Sequence, residues 1–149
     1  MDTTVILLIE DSPDDARIIA DALAGVIPRD RLCTCVTGVE ALDFVHCRGK
    51  FAQRNPAALP VLVILDLGLP QLHGFDVLRE IRSYPPTRLL PVTVLSGSDN
   101  QADVANAAEL GANSFVRKPM DLSQMADRLR QLAVYWLELN IPPPARPRQ

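Results

Sequence analysis

The sequence predicts a doubly wound α/β domain, with a five-stranded parallel sheet in the order 2-1-3-4-5 and helices on both faces. Three observations lead there. Val5–Ile9 and Val61–Leu65 are short apolar runs rich in branched side chains, the form of strands buried on both faces. Strand and helix patterns alternate along the whole chain, which calls for parallel strands joined by crossover helices. Both apolar runs also stop abruptly at carboxylates, Glu10-Asp11 and Asp66. In such a sheet the ends of the strands open onto a wet crevice, where acids can stand.

The elements follow in order. After Val5–Ile9, Ser12 is placed to cap a helix, Pro13 suits its first position, and Asp14 and Asp15 sit at the positive end of its dipole. This helix runs to Leu23 or Ala24, before Gly25 and Pro28. Leu32–Val36 is a second strand, and Gly38 to Cys47 a helix with Ala41, Leu42 and Val45 at core spacing. Residues 49–60 read as a long polar loop. The third strand ends at Asp66. Gly74–Ser83 is a helix with Val77, Leu78 and Ile81 inward, broken by Pro85-Pro86. Pro91–Leu95 is the fourth strand, leading to Ser96-Gly97-Ser98. Asp99 is the expected cap of a helix from Gln101 to Leu110, with Gly111 just past its end. Ser114–Val116 is the fifth strand, followed by Arg117-Lys118-Pro119. Asp121 and Gln124 have capping-box spacing, and Leu122, Met125, Leu129, Leu132, Ala133 and Trp136 form the apolar stripe of the last helix. Pro142-Pro143-Pro144 cannot continue it. Residues 1–139 therefore read as one domain and 140–149 as a proline-rich tail.

Composition excludes several classes. The net charge is −3 and the basic residues are scattered, so no nucleic-acid-binding stripe is present. No apolar run approaches membrane-span or signal-peptide length, and no membrane association is expected. Cys33, Cys35 and Cys47 lack metal-site and disulfide-framework spacing. They suit a reducing, cytoplasmic setting, with Cys33 and Cys35 on one face of a strand as packing residues.

An Asp ending a buried strand either caps the next turn or is reactive. The other strand ends favour reactivity, because Glu10, Asp11, Asp66, Ser96 and Lys118 all fall at or just beyond the ends of strands one, three, four and five. Three adjacent carboxylates must hold a proton or bind a cation. Oxygen-only ligands in an open crevice suit Mg²⁺. Lys50 and Lys118 are the only lysines among many arginines, and a compact ammonium is a good single-point partner for an anion. A carboxylate nucleophile with Mg²⁺, a lysine and a hydroxyl reads as phosphoryl transfer. Asp66 would attack phosphorus, Lys118 would neutralise a phosphoryl oxygen, and Ser96 would donate to another. Gly68 and Gly97 would leave room for the incoming group.

Over residues 4–137 the chain resembles the receiver domain of two-component response regulators. The resemblance rests on Glu10-Asp11, Asp66 within Leu-Asp-Leu-Gly-Leu-Pro, Gly74, Ser96-Gly97 and Lys118-Pro119. It implies the flavodoxin-like receiver fold. It also implies that Asp66 receives a phosphoryl group from the phosphohistidine of a histidine kinase or phosphotransfer protein. Asp11, Asp66 and the Gly68 carbonyl would ligate Mg²⁺, with Glu10 at or near the metal. The bond before Pro119 would be cis. Ser96 and Phe115 would be the switch pair, the aromatic here being Phe rather than the common Tyr. The long 49–60 loop, the helix continuing through Leu139 and the Leu-Gly-Leu-Pro segment look most like single-domain regulators that partner bacterial phytochrome kinases. Relatives of that type often form homodimers through the fourth helix, fifth strand and fifth helix. Tyr135, Trp136, Leu139 and Ile141 would serve such a contact, or else cover the chain's own lower edge.

The expectation is therefore a stand-alone receiver with no DNA-binding output module. It is a phosphoacceptor rather than an enzyme, with only its own phosphorylation and dephosphorylation chemistry. Two rivals are a receiver-like interaction module that signals without phosphorylation and a Mg²⁺-dependent phosphatase with an aspartate nucleophile. The phosphatase would want a second acid where Gly68 stands.

Overall fold

The computed structural model describes residues 4–69 and 72–144. Five parallel strands, β1 (Ile6–Ile9), β2 (Leu32–Cys35), β3 (Leu62–Asp66), β4 (Val92–Ser96) and β5 (Ser114–Arg117), lie in the order β2-β1-β3-β4-β5. The intervening helices are α1 (Pro13–Leu23), α2 (Gly38–His46), α3 (Gly74–Ser83), α4 (Gln101–Glu109) and α5 (Leu122–Val134). Side chains alternate across the sheet. Leu7, Ile9, Cys35, Val63, Leu65 and Val92 meet Ala41, Phe44, Val77, Leu78 and Ile81 of α2 and α3. Ile6, Leu8, Leu62, Ile64 and Leu95 meet Ile19, Leu23, Met125, Leu129 and Ala133 of α1 and α5. The central strands are thus dry on both sides, which is why their sequences read as unbroken apolar runs.

Register brings the strand ends together. Ile9 pairs with Leu65, Asp66 with Leu95 and Ser96 with Arg117. Glu10 therefore stands level with Asp66, and Lys118 just beyond Ser96. At the helix starts, the Ser12 hydroxyl accepts the Asp15 N–H and Pro13 occupies the first position of α1, as read from the sequence. Gly111 takes a left-handed φ of +95° after α4. Cys33 and Cys35 share the α2-facing side of β2, and all three cysteines are free thiols.

Several expectations need correction. The cap of α4 is Asn100, whose side chain accepts the Ala102 N–H at 2.8 Å. Asp99 instead pairs with Arg117 at 3.2 Å. Asn and Asp cap about equally well, so sequence did not separate two neighbours. Residues 49–60 are more than a polar loop. They open with a 3₁₀ turn, Gly49–Phe51, and the Arg54 guanidinium lies 3.5 Å over the Phe44 ring while donating to the Phe44 and Ala58 carbonyls. No described peptide bond is cis, so the bond before Pro119 takes the trans form that even X–Pro bonds favour. Helix α5 does continue to Leu139, but as a π-turn closed by the Asn140 N–H on the Tyr135 carbonyl at 2.7 Å. Pro142–Pro144 then line an apolar groove with Leu59, Pro60, Leu89 and Pro91, at the end of the sheet opposite the crevice.

One glycine fixes how β3 meets α3. A Cβ on Gly74 would lie 2.7 Å from the Asp66 carbonyl oxygen and 2.9 Å from the Leu67 Cα. Both obstacles are backbone and cannot swing aside. Gly74→Ala should lower stability by about 1–3 kcal/mol and disturb the turn that carries Asp66. An unchanged denaturant midpoint would contradict this close approach.

Candidate functional site

Glu10 follows the last residue of β1, and its side chain is 1% exposed. Its backbone N–H donates to the Cys35 carbonyl, extending the β1–β2 ladder by one bond. Asp11, next in sequence, is exposed at the mouth of the crevice. Asp66, at the end of β3, keeps 12% of its side chain exposed, and its Oδ1 accepts the Gly68 N–H at 3.1 Å. That bond turns the 66–68 loop back beside the carboxylate. Glu10, Asp11 and Asp66 each offer an oxygen, and these oxygens lie within 4.8 Å of one another. The set suits a hard divalent cation in an oxygen cage. Glu10, Asp11 and Asp66 would hold such a cation, which when bound would supply positive charge to the crevice.

Lys118 enters from the opposite side. Its backbone N–H donates to the Ser96 carbonyl at 2.7 Å, locking the ends of β4 and β5 together. Its ammonium, 14% exposed, lies 2.5 Å from Glu10 Oε1, 2.9 Å from Asp15 Oδ2 and 3.6 Å from Asp66 Oδ2. Asp15 is the residue that sequence reasoning missed. It had a sufficient local explanation, in the first turn of α1 and at the positive end of the dipole.

The remaining candidates stand further out. Ser96 is buried at the end of β4, and its hydroxyl accepts the Ser98 N–H at 3.2 Å. Nothing lies within 4 Å of the place a Cβ on Gly97 would take, so this rim is open. Phe115 is half-buried and packs with Leu67, Phe75, Val94, Ala107 and Ala112. It lies in the wedge between α3, α4 and the sheet rather than against the carboxylates. Trp136 packs partly against the α1–α5 core, whereas Tyr135 and Leu139 are exposed, Leu139 at 71%.

The charges are unevenly held. Burial pushes the Glu10 carboxyl from its ordinary 4.5 up to about 8, with Asp66 adding to the effect and Lys118 opposing it. Burial would raise Asp66 too, but hydrogen bonds from Glu10 and the Gly68 amide, with Lys118 nearby, bring it below its usual value. Burial would lower Lys118, yet its bonds to Glu10 and Asp15 and the charge of Asp66 hold it above the usual lysine range. Without a cation, one proton therefore sits on Glu10 facing an ionised Asp66, and the lysine stays charged. The arrangement offers an ionised carboxylate at an open mouth, an ammonium beside it and a place for a cation.

Known proteins match this chain closely. Residues 6–130 match the response regulator receiver domain. Response regulator Rcp1 of Synechocystis sp. is 34% identical over 134 residues, spanning 90% of this chain and 89% of Rcp1. The phosphorylated cyanobacterial phytochrome response regulator RcpA superposes with a TM-score of 0.86 at 34% identity, covering 93% of this chain and 97% of RcpA. The Mn²⁺-bound form of Rcp1 gives 0.85 at 32% identity, covering 95% of this chain and 99% of that one. Among the described residues, no helix is long and apolar enough to cross a membrane. With its five-stranded sheet, its acid-lined crevice and these relatives, the chain belongs to the response regulator receiver domain family of two-component signalling.

Proposed function

We propose that Asp66 is the phosphoacceptor of a Mg²⁺-dependent switch, loaded by the phosphohistidine of a histidine kinase or phosphotransfer protein. The observation that carries this is the crevice itself: an ionised Asp66 12% exposed, 3.6 Å from the Lys118 ammonium and within 4.8 Å of two further carboxylates. An Asp66 oxygen attacks phosphorus and forms an O–P bond. The N–P bond to the donor imidazole breaks, and its electron pair returns to the ring nitrogen. Glu10, Asp11, Asp66 and the Gly68 carbonyl would hold the cation, which when bound neutralises charge on the phosphoryl oxygens. Lys118 takes a further oxygen and Ser96 donates to another. Drawing in the Ser96 hydroxyl would release its bond to Ser98 and open space beside Phe115, which turns further into the wedge and shifts α4. The chain transforms no other substrate in this reading, and hydrolysis of its own acyl phosphate resets it.

The regulator-type relatives support a phytochrome-linked histidine kinase as the donor. Half-buried free thiols at Cys33 and Cys47 favour work in the cytoplasm. A homodimer through α4, β5 and α5 would use the exposed Tyr135 and Leu139, with Trp136 braced behind them. No nucleic acid is involved.

The test is intact mass after incubation with acetyl phosphate. A gain of about 80 Da, one phosphoryl group, should require Mg²⁺ and be lost with chelator. The gain at limiting Mg²⁺ should rise with pH and level off above about 8, because the cation competes with the Glu10 proton. The sign of the linked stability follows. Between 4.5 and about 8 the folded, metal-free protein holds a Glu10 proton that the unfolded chain releases. Metal-free stability therefore falls as pH rises through that window, and Mg²⁺ offsets the loss. Labelling independent of Mg²⁺, or a Mg²⁺ requirement indifferent to pH, would contradict this reading.

A further inference from the structure

Lys118 is held by more than the crevice acids of β1 and β3. Its ammonium has three N–H donors. One goes to Glu10 Oε1 at 2.5 Å and one to Asp15 Oδ2 at 2.9 Å, while Asp66 Oδ2 stays at 3.6 Å, beyond hydrogen-bond reach. The lysine thus stands off from the proposed phosphoacceptor although both are charged, and Asp15 is one of the two groups that keep it there. Asp15 is itself fixed. Its backbone N–H is held by the Ser12 hydroxyl at 3.3 Å at the start of α1, which packs along α5. It lies outside the oxygen triad of Glu10, Asp11 and Asp66.

We infer that Asp15 is a positioning residue for phosphoryl transfer, acting through Lys118. By anchoring the ammonium from the α1 side, it leaves the third N–H directed at the space a phosphoryl oxygen on Asp66 would enter. It also stops Lys118 from closing onto Asp66 and blunting its nucleophilic oxygen. Without Asp15 the lysine has two carboxylate partners, Glu10 and Asp66, and falls between them. The donor then occupies ground the incoming phosphoryl group needs. The inference rests on Asp66 being the phosphoacceptor, since it concerns how that group is kept free.

The experiment follows phosphoryl uptake from acetyl phosphate at saturating Mg²⁺ in the wild type, Asp15→Ala, Asp15→Asn, Lys118→Ala and the Asp15→Ala/Lys118→Ala double variant. Asp15→Ala should slow the maximal rate about tenfold, as expected for a misplaced catalytic donor, with little change in half-saturating acetyl phosphate. Asp15→Asn keeps an oxygen acceptor at the same point and should recover part of the loss. In the Lys118→Ala background, removing Asp15 should have no further effect, because nothing remains to position. Equal rates for Asp15→Ala and wild type would overturn the inference. So would the same fold-loss with and without Lys118, or an Asn variant as slow as Ala. A wild type that takes up no phosphoryl group at all would instead overturn the phosphoacceptor reading on which the inference stands.

Discussion

Asp66→Asn takes up no phosphoryl group under conditions that load the wild type, and it stays folded. The amide has the size and planarity of the carboxylate, so the Gly68 N–H keeps an oxygen acceptor at its 3.1 Å contact. What is lost is the anionic nucleophile. The acids that remain cannot replace it. Glu10 is 1% exposed and holds a proton up to about pH 8, so it is neither accessible nor ionised at neutral pH. Asp11 is exposed but lies outside the reach of the Lys118 ammonium, whose described ion pairs are with Glu10, Asp15 and Asp66. The charge removed is one that the Glu10 and Gly68 hydrogen bonds and Lys118 favour in the folded site. The metal-free variant should therefore be slightly less stable than the wild type, with weaker Mg²⁺ binding. Labelling at the wild-type rate would remove Asp66 from the chemistry.

Lys118→Ala has the second largest effect, and it separates loading from response. The ammonium is the only cation that the described structure places against these carboxylates. Losing it leaves the ionised Asp66 without its counter-charge and the buried Glu10 oxygen without its donor. The metal-free variant should lose about 1–3 kcal/mol, less than a fully buried pair would cost because the lysine is partly exposed. Mg²⁺ should restore much of it. Uptake from acetyl phosphate should continue, slowed by about 10²-fold as one oxyanion donor is removed. The loaded protein should then fail to respond, with hydrogen exchange in α4 and β5 matching the unloaded state. A loaded Lys118→Ala protein whose α4 and β5 change as in the wild type would take Lys118 out of the switch.

Both effects act on a site whose outline was legible in the sequence for a physical reason. A parallel strand covered on both faces is predominantly apolar, so Glu10, Asp66 and Ser96 stood out as the places where Ile6–Ile9, Leu62–Leu65 and Val92–Leu95 stop, Thr93 being buried there with its hydroxyl hydrogen-bonded to that of Ser114. Register in a parallel sheet then makes those stops coincide. The helices were legible where apolar spacing and capping chemistry agreed, as at Ser12-Pro13 and Gly111. Asp15 was not legible, because its contact with Lys118 spans most of the chain and its local role already explained it. Asp99 and Asn100 have the same capping chemistry, and only the position of Arg117 across the β4–α4 turn decides between them. The Arg54 stack on Phe44 depends on a tertiary meeting of two segments with no shared period. Trp136 was read both as part of the core stripe and as part of a contact surface, and in the structure it packs partly against the α1–α5 core.

The most direct test of the central claim is to locate the acyl phosphate. Protein loaded by acetyl phosphate and Mg²⁺ is treated with borohydride. Hydride displaces phosphate from the acyl carbon, and further reduction leaves an alcohol where the carboxyl stood. The peptide containing Asp66 should then be about 14 Da lighter, as expected for aspartate converted to homoserine through an acyl intermediate. Every other acidic residue, Glu10 and Asp11 included, should be unchanged. Reduction at a different residue, or an unaltered Asp66 peptide in protein that has gained a phosphoryl group, would contradict the account.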